Sequence, residues 1–531
     1  MVKKVEPSFF WHDYETFGTN PQLDGVSQFA GIRTNLNLEE IDEPVDLYCK
    51  MTPDRLPNPM ACMVTGVKPS EVQKKGLNET TFFHRVDNEL GKAGTCGIGY
   101  NNISFDDEVT RNGNYRNFID IYRREWANQC SRWDLLNVVR MASALYPGII
   151  NVPLNPETGK KVFKLDQLSP ANGIIHENAH EALSDVRATI ALAKMIKDAQ
   201  PEFWESQFKQ RNKQGVGDFL FKGYDPRAYS NTLNFKPFLM ADSFFGGEQD
   251  FIEVLYPIYA NKMNVYCIKL TKNLDLLLTQ DAETLKTNMF KSRKPELPEE
   301  AILPSDKRAI LNKIKKQEAN DVVYIGEGEE RIPLHTIKIN QCPVLAPSNL
   351  LNKETAAALG IDGNVLRENI QKIKDNFIVL QQKIEAVFSQ NDYPEKDPDV
   401  DTQIYSGGFF SKTDQNHFAL LKKTNSVEML DYLRNNIKAK KFDDKKRVPE
   451  MIFRFIARNY EQDLDMKAYE KWIEMCKERI TNPDSHYSMT FEEFQEDIDF
   501  LKKENAEDDF KLSVLADLED YAQKLKEKLS I

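Results

Sequence analysis

Asp13 and Glu15 in the run FFWHDYETFG, Asp106 in GYNNISFDDEVTRN, and His180 with Asp185 in NAHEALSDVRAT are the residue types of a two-metal phosphodiesterase site. Residues i and i+2 of a strand project to the same side, so Asp13 and Glu15 present two carboxylates on one face. Such adjacent anions repel, and beside Phe9 and Trp11 they carry a desolvation cost unless a cation neutralises them. Carboxylate-rich oxygen sites select magnesium, for which manganese can substitute. Asp106 follows a short apolar strand and Phe105 where the chain turns into a helix, and Asp107 or Glu108 could fill the same role. Asp185 falls in the early turns of an amphipathic helix. At ~100° per residue, His180 would point ~140° away from Asp185 if both were helical, so it belongs in the preceding loop. Its near-neutral pKa suits a general base that takes a proton from the attacking water. Ions ~3.5–4 Å apart stabilise the attacking and leaving oxygens of an in-line displacement at phosphorus. Each piece alone has a plainer reading: charges on an edge strand, an acid favoured by a helix dipole, or a structural histidine of the kind expected for His176. Their order and context point to phosphodiester hydrolysis.

The elements that must position these residues read as an α/β domain. FFWHDYE alternates, with residues 9, 11, 13 and 15 on one side, and QFAGIRTNLN and EPVDLYCKM continue it as a meander. ETTFFHRVDNELG reads as a helix, TCGIGYN as a short strand, and DDEVTRNGNYRNFIDIYRREW as a helical stretch broken near Gly113. HEALSDVRATIALAKMIKDA closes the unit as an amphipathic helix, which gives a mixed sheet with helices over residues 1–200. Residues 201–352 are β-rich, with the charged run KSRKPELPEEAILPSDKRAILNKIKKQEAND expected as a surface insertion. Residues 353–531 read as helical, beginning with ENIQKIKDNFIVLQQKIEAVF as one helix.

At 531 residues the chain exceeds a single hydrophobic core, so several domains are expected. There is no run of eighteen or more apolar residues and no apolar leader after MVKKVEPSFF, which predicts a soluble, cytoplasmic protein without a membrane partner. Seven scattered cysteines, with no CxxC pair, argue against a disulfide framework or a zinc site and for reduced, buried thiols. A formal net charge of -12 means that binding a nucleic acid requires a local basic surface and divalent cations to overcome global repulsion.

The ordered text HDYETFG, QFA-IRT, the CK pair at 49 and 50, GYNN-x-x-FDDEVTRN, YRNF, SRWDLL, ANGI, NAH, INQCPVLA, GFFS at 408–411 and ARN at 457–459 resembles the bacterial exodeoxyribonuclease I family. That family is a branch of the DEDDh, DnaQ-like 3′→5′ exonucleases. The resemblance spans nearly the whole chain and is weakest in 280–335 and 461–510, where this sequence is longer than the family pattern. It implies a ribonuclease-H-like exonuclease domain, an SH3-like β-barrel and an all-helical C-terminal domain closing a groove around single-stranded DNA. It also implies a monomer that digests single-stranded DNA processively to nucleoside 5′-monophosphates in DNA repair and recombination. Asp13, Glu15 and Asp185 match ligands of a first magnesium ion, Asp106 the support of a second, and His180 the general base.

The run RNGNYRNFIDIYRREW offers Arg111, Tyr122 and Trp126, types that grip phosphates and stack on bases, against the plainer reading of a half-buried amphipathic helix. The resemblance adds Arg140, Lys164, Lys213, Thr65 and Glu15 itself as substrate contacts. Lys164 stands where the family pattern has arginine, so bidentate phosphate binding is in doubt there. A partnership with single-stranded DNA-binding protein is implied, but an aromatic expected after the catalytic domain is replaced around Ser206. Two rival readings are a 3′→5′ exoribonuclease of the same superfamily and a catalytically silent single-strand-binding module.

Overall fold

Alternating apolar residues make Ser8–Thr16 (β1) the centre of a five-stranded sheet. Its other strands are Val26–Thr34 (β2), Val45–Tyr48 (β3), Thr95–Gly99 (β4) and Ser131–Asp134 (β5), in the order β3-β2-β1-β4-β5. The computed structural model describes residues 5–175, 181–228, 230–247, 250–261, 263–292, 295, 297, 302–319, 324–325, 331–389, 397–485 and 489–531. β1 runs antiparallel to β2 and parallel to β4, so the sheet is mixed as expected. Phe9 and Trp11 pack in one cluster with Val186, Ala193 and Ile196 of the helix Ala182–Ala199, while Phe10 and Tyr14 pack on the opposite face with Phe29, Phe82 and Phe83. That division puts the odd-numbered side of β1 under the helix that begins beside Asp185.

The break expected near Gly113 falls after it: the helix Asp106–Arg116 runs through the glycine, and the stretch resumes as a helix only at Arg123. A Cβ at Gly113 would lie 2.0 Å from the Phe83 ring, so the glycine allows close packing rather than ending the helix.

The second unit carries Phe238–Ala241 (β6), Ile252–Ala260 (β7), Asn264–Lys269 (β8), Leu334–Lys338 (β9) and Val344–Pro347 (β10), antiparallel in the order β10-β6-β7-β8-β9. Among the described residues no ladder joins β9 to β10, so barrel closure is not made by backbone pairing there. The expected single helix after residue 363 is two, Gly363–Asp375 and Phe377–Phe388, separated at Asn376. Their Ile373, Leu380, Ile384 and Val387 share a core with Tyr256, Ile258 and Ile268. This packing moves the unit's end from the expected 352 to the end of the helix Phe377–Phe388, because apolar faces decide membership and residue class does not.

The remaining helices build a core around Trp472 that also takes in Phe17, Met51, Leu56, Cys62 and Met63 of the first domain. Phe491–Glu504, not anticipated from the sequence, is among them. Fully buried Asp54 pairs there with Arg458 and Arg479, and Asp401 pairs with Arg454, Arg458 and Arg479. All seven cysteines are free thiols and buried. No helix among the described residues is long and apolar enough to cross a membrane.

Candidate active site

Helix packing on β1 brings the acids together. Asp13 and Glu15 project from the same side of β1 as Phe9 and Trp11, and the helix seated on those aromatics places Asp185 in its first turn above them. One carboxylate oxygen from each of Asp13, Glu15 and Asp185 lies within 4.8 Å of the others. Asp106, buried at the first position of its helix, accepts a hydrogen bond of 3.1 Å from the Tyr14 amide and so stands beside β1 between the strand's two acids. His180 lies outside the described residues, as does His176. The helix bearing Asp185 starts at Ala182.

Asp107 and Glu108 are excluded as substitutes for Asp106 by their partners. Asp107 is buried between Arg124 (2.8 Å) and Arg132 (2.7 Å), while Glu108 is held by Arg111 and by the Tyr405 hydroxyl, each at 2.5 Å. Burial pushes the Asp107 carboxyl up, but Arg124 and Arg132 outweigh it and hold the pKa below the ordinary range. Asp134 fixes the approach to Asp106: it accepts from the amides of Asn101, Ile103 and Leu136. Neither Asp107 nor Asp134 could be assigned a supporting part from sequence, since each role depends on partners distant along the chain.

The electrostatics of the cluster are those of an anion-rich site. Burial, then Asp106, Glu15 and Asp185, raise the Asp13 pKa far above the ordinary carboxylate value. Burial, then Asp185 and Asp106, push Glu15 up to about 9, and burial with the charge of Asp107 takes Asp106 up to about 7. Hard oxygen donors this close fit a divalent cation, which relieves the repulsion that the protein otherwise meets by retaining protons. A carboxyl with a raised folded-state pKa contributes stability that is present at low pH and is lost as pH rises through that pKa. The metal-free protein is therefore expected to lose stability progressively from the ordinary carboxylate range up to about 9, where folded Glu15 still holds a proton that the unfolded chain has released. Divalent cation should restore it, so the rise in Tm on adding manganese should be larger at pH 9 than at pH 6. Equal rises in a thermal melt at the two values would contradict this.

A groove of about 840 Å³ meets the Asp185 end of the cluster. Its lining includes Val64, Arg140, Lys161, Phe163, Lys164, Ser243 and Phe251, so the first and second domains both contribute. Arg140 donates to Asn137 and Ser243, each at 2.8 Å, and lies 4.0 Å from the Phe251 ring centroid. Of the expected substrate contacts, Arg140 and Lys164 line this groove, and Thr65 adjoins its Val64. Glu15 belongs to the acid cluster that the groove meets, and the other four are elsewhere. Arg111 is tied to Glu108 and Glu125 and stacks near half-buried Tyr122, Trp126 is 70 % exposed, and Lys213 is exposed beside Met263. Lys161, Ser243 and Phe251 escaped the sequence reading because nothing local distinguishes them. Lys161 and Phe251 are drawn together by the ion pair of Lys161 with Asp250 at 2.6 Å.

Three family models match: Exonuclease over residues 10–193, Exonuclease I SH3-like domain over 309–390, and Exonuclease I C-terminal domain over 398–525. Exodeoxyribonuclease I of Haemophilus influenzae is 34% identical over 528 residues, covering 99% of this chain and 100% of the relative. The crystal structure of E. coli exonuclease I in complex with a dA16 oligonucleotide aligns with TM-score 0.81 and 33% identity, covering 98% of this chain and 100% of that one. The ExoI/SSB-Ct complex aligns with TM-score 0.78 and 32% identity over the same shares. With the catalytic, SH3-like and C-terminal portions all matched at this identity along nearly the full length, the chain belongs to the exodeoxyribonuclease I family of exonucleases.

Proposed function

We propose that this protein hydrolyses single-stranded DNA from the 3′ end, releasing nucleoside 5′-monophosphates, with Asp13, Glu15, Asp106 and Asp185 holding two magnesium ions. The observation that carries this reading is the convergence of Asp13, Glu15 and Asp185 within 4.8 Å, with Asp106 alongside, where a groove bearing Arg140 and Lys164 ends. When bound, the ions supply positive charge to the phosphate and to the attacking and leaving oxygens. The carboxylates fix where that charge sits. Arg140 and Lys164 bind backbone phosphates, and Thr65 and Glu15 border the terminal nucleotide. Trp126 and Tyr122 offer faces for bases further along the strand, where stacking tolerates any sequence. Lys213 adds a peripheral positive charge, and Arg111 reaches a phosphate only by leaving Glu108 or Glu125.

His180, in the segment before the helix Ala182–Ala199, takes the proton from the attacking water. His180→Ala is expected to lower the single-turnover rate by about a hundredfold or more while metal affinity is kept. An unchanged rate would remove the general-base role. A partnership with single-stranded DNA-binding protein follows from kinship with the exonuclease of the ExoI/SSB-Ct complex. Incubating the protein and magnesium with a 3′-labelled DNA strand and a matched RNA strand tests the substrate. Labelled mononucleotide should appear at once from DNA and stop on chelation, whereas preferential cleavage of RNA or release of internal fragments would contradict the reading.

A further inference from the structure

A second cavity, of about 920 Å³, opens between the first domain and the C-terminal helices and shares no lining residue with the groove of the acid cluster. From the first domain it takes Lys50, which follows β3 and is fixed there because its amide donates to the Leu77 carbonyl at 2.8 Å. Lys74, in the last turn of the helix Pro69–Lys75, lines the same cavity. The C-terminal domain contributes Tyr521, Lys524, Leu525 and Lys528 of the helix Asp509–Leu529. Buried Arg458 and Asn459, at the end of the helix Arg447–Asn459, complete the lining from that side.

The charges around this cavity do not cancel. Each lining acid has a cation of its own: Glu79 holds Arg116 at 2.8 Å, Glu461 holds Lys528 at 2.7 Å and Asp520 holds Lys524 at 2.5 Å. Arg458 is taken by Asp54 and Asp401. Lys50 and Lys74 are exposed, and among the described residues no acid pairs with either ammonium group. Two uncompensated cations therefore meet at one cavity of a chain whose net charge is -12. The helix Glu79–Leu90 acts in the same direction, since its first turn, capped by Asn78, borders the cavity with the positive end of the helix dipole. The rest of the lining has another character. Met51, Leu77, Tyr521 and Leu525 supply apolar surface, and exposed Thr81 and Gln462 supply polar groups. Space of this size and mixture suits an organic ligand with an apolar body rather than a bare anion.

We propose that this cavity is a binding site for a nucleoside 5′-monophosphate, with the phosphate held by Lys50 and Lys74 and the base packed against Leu77, Tyr521 and Leu525. Ammonium groups with no competing carboxylate make charge-assisted hydrogen bonds to a phosphate dianion. The apolar surface adds the burial of a base, which inorganic phosphate cannot supply. The acid cluster is no rival for this ligand without metal, because its carboxylates repel a phosphate. The site needs no nuclease activity, and the reading above adds only that the protein itself releases ligands of this class. Because both domains line the cavity, an occupant ties the first domain to the helix Asp509–Leu529.

Equilibrium dialysis of the full chain in chelator tests it, with thymidine 5′-monophosphate, thymidine and inorganic phosphate as separate ligands. The nucleotide should bind in the millimolar range or tighter, by about tenfold or more over either fragment, since only it uses both the lysines and the apolar surface. It should also raise the Tm of the metal-free parent, as any ligand of the folded state does. Lys50→Gln with Lys74→Gln should weaken nucleotide binding by about tenfold or more. Lys423→Gln with Lys438→Gln, the same change of charge at exposed positions away from the cavity, should alter it by less than about twofold, because distant exposed charges are screened. No nucleotide binding at millimolar concentration, a fragment that binds as tightly as the nucleotide, or an equal loss in the two double variants overturns the site. Binding is read without metal, so a protein that takes up the nucleotide yet leaves single-stranded DNA intact under magnesium contradicts the nuclease reading alone.

Discussion

Asp13→Ala is expected to lower hydrolysis of single-stranded DNA by about a thousandfold or more, since several kcal/mol of charge stabilisation is lost and each 1.36 kcal/mol is about tenfold in rate. Asp13 shares with Glu15 and Asp185 the one carboxylate cluster of metal-binding geometry found among the described residues. Binding of the strand should be largely kept, because Arg140 and Lys164 reach the groove from other elements. A side effect separates this variant from simple misfolding. Asp13 is half-buried against other acids, so removing it relieves repulsion, and the metal-free variant should melt no lower than the parent near pH 8. The check is a gel assay of the labelled strand beside a binding titration in chelator. Near-parental cleavage with full binding would mean that the metal site lies elsewhere.

Asp54→Ala is expected to be the most damaging single change to stability, at about 3–5 kcal/mol, the cost of removing one partner from a buried ion pair. Fully buried Asp54 faces Arg458 and Arg479, and its loss leaves Asp401 as the buried acid facing these guanidinium groups and Arg454. Burial alone would raise the Asp54 pKa, but Arg458, Arg55 and Arg479 outweigh it and hold the carboxyl well below its ordinary value. A depressed pKa contributes stability that is fully present above the unfolded-state value and is lost as pH falls toward the folded one. The deficit of the variant should therefore be constant from pH 6 to 8 and shrink only in acid. Because the network ties the first domain to the C-terminal helices, the groove should loosen as well. Denaturant unfolding at pH 7 and pH 3.5 checks both statements, and a loss below about 1 kcal/mol at neutral pH, the scale of an exposed pair, would show that the cluster is solvated.

Much of the site was legible because it depends on local periodicity. Alternation along FFWHDYE fixed the side on which Asp13 and Glu15 project, and the stripe of HEALSDVRATIALAKM fixed the helix that covers it. Which of Asp106, Asp107 and Glu108 stands beside β1 was not legible, since the decision lies with Arg124, Arg132, Arg111 and Tyr405, which pair with the other two. Gly113 misled because a glycine that admits Phe83 looks the same in sequence as one that ends a helix. The domain boundary near 352 failed for a similar reason: Ile373 and Leu380 are as helical as the residues that follow, yet bury against a β-sheet. The charged insertion lies at the surface as expected, but its docking on the helix Phe491–Glu504 was not legible, because it depends on Leu303 and on Asp497, which meet only in the fold.

The most direct test of the account is diffraction from crystals grown with manganese and a short oligothymidylate, with data collected at the manganese edge. The account predicts two anomalous peaks ~3.5–4 Å apart at the 3′-terminal phosphate, one of them in contact with Asp13, Glu15 and Asp185 and the other adjoining Asp106. A strand seated in the groove with no manganese among these carboxylates would contradict it.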